Sequence, residues 1–317
     1  TMADGSVRSV EDIRAGDEVL SSIGAGEFRP ARVSDVFKRR ADREVIRVAT
    51  AGGRTLITTA EHTHLADIVH NESPQKYFTY LMFKKGRGYR LGTSQIYTKA
   101  VRKPVIGFRQ RCLQEHADAV WLLDAFDSEN DAREREHRLS LQYGITTLPF
   151  VARKGGSRNG LVHDQERLDR IHADLDSIAK GERLLADYRL DPGMPHHVPQ
   201  SANGRRKTLY ITLNAERRGP TPMHRIALSG SDAGEKETVR ALGLNPRVYK
   251  RNPDNWRFET AFRDFAKVDE IRKRLETVFD LTVVRKAQVF PGRRALAMRP
   301  ASQLRPGMVV VDEEGTP

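Results

Sequence analysis

The sequence predicts a multidomain chain in which an all-β domain, carried by the two ends, is split by an α+β insertion. Three observations point there. A turn-and-strand block near the start, Ser9 to Leu20, recurs near the end as Pro300 to Val311. Between Gly16 and Leu65 the local signals are all β. From about residue 76 to 286, strand patterns alternate with amphipathic helical ones.

The two end blocks carry the first inference. Ile13 matches Leu304 and Gly16 matches Gly307, an offset of 291 residues. Each reads as a short turn, an aliphatic anchor, Arg, a turn-making Gly and then a strand. Glycine at that place admits positive φ, and the Val/Leu alternation after it suits a half-buried strand. A repeat this far apart is no solenoid array; it implies two related halves of one β-domain with foreign material between them. Within the first half, Ala31–Phe37 and Glu44–Thr50 read as strands. Ala51-Gly52-Gly53 is a hairpin turn and Arg54–Thr58 returns.

Composition bounds the chemistry. The 317 residues leave room for two or three domains with their own cores. No apolar run reaches about 18 residues, so no membrane partner is expected, and no charged-then-apolar signal segment opens the chain. Cys112 is the single cysteine, which excludes an internal disulfide framework and a cysteine-based zinc cluster and suits a reducing cytoplasm. Lys plus Arg number 54 against 42 Asp plus Glu, a net +12. Residues 201–300 hold 22 Lys or Arg and only 11 Asp or Glu, so nearly the whole excess sits in one segment. A localised basic field attracts polyanions, nucleic acid above all.

The run Asp4-Gly5-Ser6-Val7, continued by Ile13-Arg14-Ala15-Gly16-Asp17-Glu18-Val19, resembles the N-terminal splicing block of inteins, just after its nucleophile. Thr59-x-x-His62 resembles the second block, T-x-x-H. The resemblance implies a horseshoe-shaped Hint domain, formed by 1–70 and 287–317. It also implies that His62 activates the scissile peptide bond at the upstream splice junction, with Thr59 in support. The chemistry needs a histidine, because an N-to-S acyl shift expels an amine whose nitrogen must receive a proton near neutral pH. The family pattern places the nucleophile several residues upstream of Thr1 and the terminal His-Asn beyond Pro317. Both are expected outside the chain, in a longer protein whose flanking segments, the exteins, are partners. His64 reads as a surface histidine.

The first inserted segment, 76–152, predicts a strand at Tyr77–Phe83, a Gly-bearing turn, and a second strand at Tyr89–Ser94. A helix at Gly107–Glu115 and a buried strand at Ala119–Phe126 follow. Ser128 then caps a helix carrying Ala132, Glu136, Leu139, Ser140 and Tyr143 on one face. This order is similar to GIY-YIG nucleases. Tyr80 matches the first motif and Tyr89-Arg90-Leu91-Gly92 the second. Arg111, or Arg109, matches the helix arginine, and Glu136 the metal-ligating glutamate. The resemblance implies a phenol network around water, an arginine on the phosphoryl charge, and one carboxylate holding a hydrated Mg²⁺. The first motif lacks its Gly, and Arg90 stands where a Tyr often stands.

Residues 153–204 read as a helical linker, with one helical stretch from Asp164 to Asp187 interrupted at Gly181. Within it, His196-His197 reads as a surface pair in a Pro-rich loop. Residues 205–286 then predict strands at Thr208–Leu213, His224–Leu228, Arg247–Lys250, Trp256–Arg263 and Leu281–Arg285. Helices are expected at Asp232–Leu242 and Lys267–Phe279, the latter with Val268, Ile271, Leu275 and Val278 inward. This resembles half of a LAGLIDADG saddle, whose strands lie in the major groove of double-stranded DNA. Arg247, Lys250, Arg251, Arg257 and Arg263 interleave with Trp256 and Phe258 there, as phosphate and base contacts.

The layout is similar to large inteins within bacterial UvrD/Rep-type helicases, and a P-loop motif is absent from this chain. Three readings stand: a splicing intein with a DNA-cutting insertion, a non-catalytic DNA-binding insertion on a degenerate Hint scaffold, and a Hint autoprocessing module of a secreted protein. A monomer is expected. A helicase P-loop upstream would favour the first, a secretory signal the third.

Overall fold

The computed structural model describes residues 1–24, 27–38, 45–98, 104–154, 160–199, 207–217, 221–249, 252–289 and 295–311. The chain opens with strands β1 (Glu18–Gly24), β2 (Glu27–Arg32), β3 (Val45–Ala49), β4 (Thr55–Thr59) and β5 (Thr63–Asp67). Next come β6 (Tyr77–Lys84), β7 (Gly88–Gln95), β8 (Tyr97–Thr98), β9 (Val105–Ile106), helix α1 (Gly107–Gln114), β10 (Ala119–Phe126) and α2 (Glu129–Tyr143). Helices α3 (Gln165–Asp174) and α4 (Ile178–Asp187) lead to β11 (Lys207–Arg217), β12 (Pro222–Gly230), α5 (Ala233–Ala241), β13 (Arg247–Tyr249) and β14 (Asn252–Phe262). The last elements are α6 (Phe265–Glu276), β15 (Leu281–Ala287), β16 (Leu296–Pro300) and β17 (Val309–Val310). The chain is mixed α/β and rich in strands. Among the described residues no helix is long and apolar enough to cross a membrane.

Two compact units result. One comprises Thr1–Ala66, Leu209–Ala301 and Val310–Pro317, the other Asp67–Thr208 and Ser302–Val309. The first contains the largest sheet, ordered β13-β14-β12-β11-β15-β16-β5-β17. Its strands β5 and β16 come from opposite ends of the sequence and pair antiparallel, Arg299 opposite His64 and Ala297 opposite Ala66. The sheet also runs across the division expected at residue 286, since β15 pairs with β16 through Lys286 and Ala297. Helices α5 and α6 cover one sheet face, closing a core of Leu209, Ile211, Ile226, Leu228, Trp256 and Phe258 under Val239, Val268, Ile271 and Leu275. Asp232 and Asp264 cap these helices by accepting from the Glu235 and Ala266 N–H groups. Because α6 ends at Glu276, Val278 leaves the stripe and is exposed, not inward as expected.

β1–β2 and β3–β4 form separate two-stranded ribbons. The strand expected at 31–37 lies earlier, at Glu27–Arg32, because the register that pairs Glu18 with Arg32 uses up the partner strand there.

The end blocks repeat in structure as well as sequence. Val10–Asp12 and Ala301–Gln303 are both one turn of 3₁₀-helix. The Asp17 N–H donates to Arg14 O and the Met308 N–H to Arg305 O, each at 3.1 Å. Gly16 has φ +96° and Gly307 φ +92°, where a Cβ would be strained. Strands β1 and β17 follow at the same offset.

The second unit is built on a three-stranded antiparallel sheet, β10-β6-β7, with apolar layers on both faces. One layer holds Phe78, Tyr80, Met82, Val120 and Leu122 against Phe108 and Cys112 of α1. The other holds Leu81, Tyr89, Leu91, Trp121 and Leu123 against Leu139 of α2 and Leu184 and Leu185 of α4. The expected cap is present, with Ser128 Oγ accepting from Asn130 N–H, and Gly144 closes α2 in the left-handed region. The stretch expected as one helix interrupted at Gly181 is two helices broken at Leu175–Ser177. Gly181 lies inside α4, where the Tyr89 ring fills the space a side chain would need. His196 is not a surface residue. It is 4% exposed, accepts from Leu122 N–H through Nδ1 (3.0 Å) and faces Gln303 O with Nε2 (2.7 Å), so a loop that reads as polar satisfies buried backbone.

Gly92 shows how tightly this sheet is packed. A Cβ there would run into the Tyr80 ring, which lies across it from the neighbouring strand. Gly92→Ala is therefore expected to lower unfolding stability by about 1–3 kcal/mol, read from urea denaturation. An unchanged midpoint would mean that the ring moves aside freely.

Candidate functional site

The β6–β7 register decides which motif residues meet. Tyr80 stands opposite Gly92, Met82 opposite Arg90 and Phe83 opposite Tyr89. Side chains alternate faces along a strand, so Tyr80, Met82, Arg90 and Gly92 share one face, with Leu81, Phe83, Tyr89 and Leu91 on the other. The expected convergence of Tyr80 and Tyr89 is thus corrected. Tyr89 is 6% exposed, with its ring centroid 4.8 Å from Phe83 and 6.0 Å from Trp121. Gly92 lies three positions after Tyr89, an odd step, and an odd step changes face.

The residue beside Tyr80 is Arg90. Its Nη2 donates to the Tyr80 hydroxyl at 2.9 Å. Nε and Nη2 also clasp Glu115, at 2.8 and 2.5 Å, and Nη1 donates to the carbonyls of Leu91 and Thr147. Tyr80, Arg90 and Glu115 are 1%, 4% and 2% exposed. Glu115 also accepts from Phe150 N–H. Burial opposes the Arg90 charge, but Tyr80 and Glu115 outweigh it and hold the guanidinium protonated. Burial raises the Tyr80 phenol above its ordinary range against the pull of Arg90, keeping it neutral.

Arg111 lies 3.9 Å from Glu115 and is partly exposed. Arg109, the alternative helix arginine, instead pairs with Asp67 at 2.7 Å. Glu136, on α2, is close enough to feel the charges of Arg90, Arg133 and Arg153. Burial nevertheless pushes its carboxyl above the usual range. Among the described residues no hydrogen bond or ion pair engages it, and no group of three or more His, Cys, Asp or Glu stands ready for a metal. The structure therefore gathers Tyr80, Arg111 and Glu136 around Arg90 and Glu115, and leaves Tyr89 out. Glu115 was not singled out in sequence, yet it carried a signal. It is the C-cap of a helix with no other acid, the helix end where a carboxylate is disfavoured unless a cation holds it.

In the first unit, Thr59-x-x-His62 is a tight turn between β4 and β5, closed by His62 N–H donating to Thr59 O at 3.1 Å. The His62 carbonyl accepts from Ala301 N–H at 2.8 Å, and its side chain is exposed. The His64 ring lies 5.0 Å away, half-buried. Burial, and then the neighbouring His62, lower its pKa, so it favours the neutral form.

The sheet face turned away from α5 and α6 carries the expected cations. Trp256 and Phe258 point into the core, so Arg257 and Glu259 point the other way. Arg257 Nε contacts Glu259 Oε2 at 2.5 Å, and Arg225 Nη1 lies 3.3 Å from Oε1. Arg247 stands directly opposite Arg257. With Met223, Val248, Tyr249, Thr260 and Ala261, these two arginines and Glu259 line a groove of about 600 Å³. Arg263 borders a second hollow beside Asp264 and Lys267. Lys250 and Arg251 lie outside the described residues.

Two outcomes follow. Removing one partner of a buried ion pair strands the other, so Glu115→Leu is expected to cost about 3–5 kcal/mol and the paired Arg90→Met/Glu115→Leu much less. Equal losses in urea melts would show that the charges are not coupled. A carboxyl whose folded pKa is raised destabilises the native state once ionised. Glu136→Gln should then match the parent below the unfolded carboxyl pKa and exceed it in stability above the folded one. A difference that grows towards low pH would refute this.

Comparison with protein-family models, with curated proteins and with solved structures found no match to this chain.

Proposed function

We propose that the chain is an intein-type autoprocessing scaffold interrupted by an insertion that binds double-stranded DNA. The observation that carries this is the meeting of the two ends. Residues 63–66 pair with 297–300, and Ala301 N–H bonds the carbonyl of His62 itself. The matched local structure of the two turn blocks supports the same reading, since related halves of one domain would repeat both. In this reading His62, exposed at the end of a fixed turn, delivers a proton to the departing amide nitrogen of the upstream junction. Thr59 helps to hold that turn. The flanking protein segments are the substrates, a bacterial helicase is the proposed host, and the chain works as a monomer in a reducing cytoplasm with its one thiol, Cys112, buried.

The insertion supplies the DNA contacts through the arginine-bearing sheet face of β12, β13 and β14. For cleavage, the Glu136 carboxylate fits as the single protein ligand of a hydrated Mg²⁺, because it is half-buried rather than enclosed and has no partner among the described residues. Bound there, the cation would stabilise phosphoryl charge, and Arg111 would add its own. A second reading, a DNA-binding insertion without cleavage, is favoured by Tyr80. Its hydroxyl is sealed under the Arg90–Glu115 pair and held neutral.

The tests separate these readings. In the full-length protein with both junctions, His62→Ala should slow upstream cleavage by about 10²–10⁴-fold, and Thr59→Ala by less. Unchanged cleavage in the His62 variant would leave the histidine a turn residue. On a plasmid carrying the uninterrupted host gene, Mg²⁺-dependent cutting lost in Glu136→Gln would establish the nuclease. Binding without cutting would establish the second reading.

A further inference from the structure

The cations on the first unit's sheet face are not a plain phosphate-binding patch. A carboxylate stands among them. Glu259 is 31% exposed and contacts Arg257 at 2.5 Å and Arg225 at 3.3 Å. A site built only to neutralise backbone phosphate gains nothing from a negative charge at its centre, which repels phosphate and lowers the local field. The carboxylate does something else well. It grips Arg257 through Nε, leaving both terminal nitrogens without a hydrogen bond among the described residues. An arginine so held has surrendered its rotamer freedom before any partner arrives, and its planar fork has a fixed direction.

A second observation points to a ligand. Arg247 and Arg257 face each other directly across the β13–β14 pair, a cross-strand arrangement that like charges disfavour. No acid among the described residues bonds Arg247. The strain of this pair is relieved when hydrogen-bond acceptors enter the groove that both residues line with Glu259 and the exposed Tyr249.

We propose that Arg257, fixed by Glu259, reads the major-groove edge of a guanine in duplex DNA, and that Glu259 is a positioning residue for sequence specificity. This rests on the reading of the sheet as a double-stranded DNA contact. The fork of an arginine matches the O6 and N7 acceptors of guanine, the commonest specific contact in the major groove. Adenine offers a donor in place of one of those acceptors and is rejected. Arg247 and Arg225, on the neighbouring strands, flank the reading residue and take the adjoining phosphates. These positions fix register and carry no sequence information.

The experiment selects binders from a random 20-base-pair duplex pool with the whole chain, in EDTA so that nothing is cut. Enriched sequences are compared for the parent, Arg257→Lys, Arg257→Ala and Glu259→Gln, with circular dichroism and melting confirming that each variant folds. The parent should fix a guanine at one position at least. Arg257→Lys keeps the charge and loses the fork, so the preference there should fall by roughly five- to 150-fold, the range one good bidentate contact supplies. Glu259→Gln should weaken the same preference while affinity for unselected duplex holds or rises, because an opposing charge is gone. Failure of the parent to bind any duplex overturns the DNA reading and this proposal together. Binding with the guanine preference intact in either Arg257→Lys or Glu259→Gln overturns the proposal alone. So does a uniform loss of affinity across all sequences in Arg257→Ala, the mark of a phosphate contact.

Discussion

The architecture depends on one antiparallel pairing, that of β5 with β16, because it obliges everything between to begin and end at the same place. Between Ala66 and its partner Ala297 lie 230 residues. Loop-closure entropy grows only as the logarithm of loop length, so an unstructured loop of that size would cost about 3 kcal/mol more than one of ten residues. Folded segments within that stretch lower the cost, since their packing shortens the free chain to be closed. The Arg299 Nε–H, donating to Ala66 O, adds a side-chain tie across the same pair of strands. Continuity of the sheet from β16 through β15 and β11 then lets later strands extend an existing edge instead of starting a new one.

Much of this was legible in the residues, and what was not follows from register. The turn blocks could be read because glycine at positive φ, an aliphatic anchor and a β-run are all local signals. The strands and helices of 207–287 could be read for the same reason, Trp256 and Phe258 alternating with Arg257 and Glu259 along β14. The faces of Tyr80 and Tyr89 could not. Which residues of a hairpin share a side depends on which residue opposes which, and the Gly86–Gly88 turn allows more than one register. Once Tyr80 lies over Gly92, Tyr89 is committed to the other core. His196 escaped notice for a related reason. A histidine in a Pro-rich loop reads as solvated until the strand it satisfies, β10, is known to run beside it. The helix break at Leu175–Ser177 carried no glycine or proline, whereas Gly181 attracted the assignment and proved to be a packing residue.

The Arg90–Glu115 pair shows what burial does to a motif. A guanidinium and a carboxylate taken from water lose several kcal/mol of solvation each, and their attraction repays this only when the remaining donors and acceptors are satisfied. Here they are: Tyr80 and two carbonyls take the other Arg90 hydrogens, and Phe150 N–H occupies Glu115. The bonds join β6, β7, the end of α1 that carries Glu115 and the single segment between α2 and α3. The pair thus selects one arrangement of four segments. It also encloses the Tyr80 phenol, so the network that organises this unit leaves that hydroxyl buried and engaged.

The same two residue types, arginine and glutamate, meet on the sheet of the first unit with opposite consequences, and exposure makes the difference. Arg90 has no donor left to offer, whereas Arg257 is held by one nitrogen and keeps two. In water a contact such as Arg257–Glu259 contributes little to stability, roughly 0–1 kcal/mol for an exposed pair. Its presence on the sheet is therefore poorly explained by folding stability. Holding a side chain in one direction is a different service, and its value appears only when a ligand arrives. The free arginine would otherwise lose about 0.5–1.5 kcal/mol of rotamer freedom on binding. A pair that is nearly neutral for the free protein but favourable for the complex is what a recognition surface requires, and the uncompensated facing of Arg247 and Arg257 lies on the same groove.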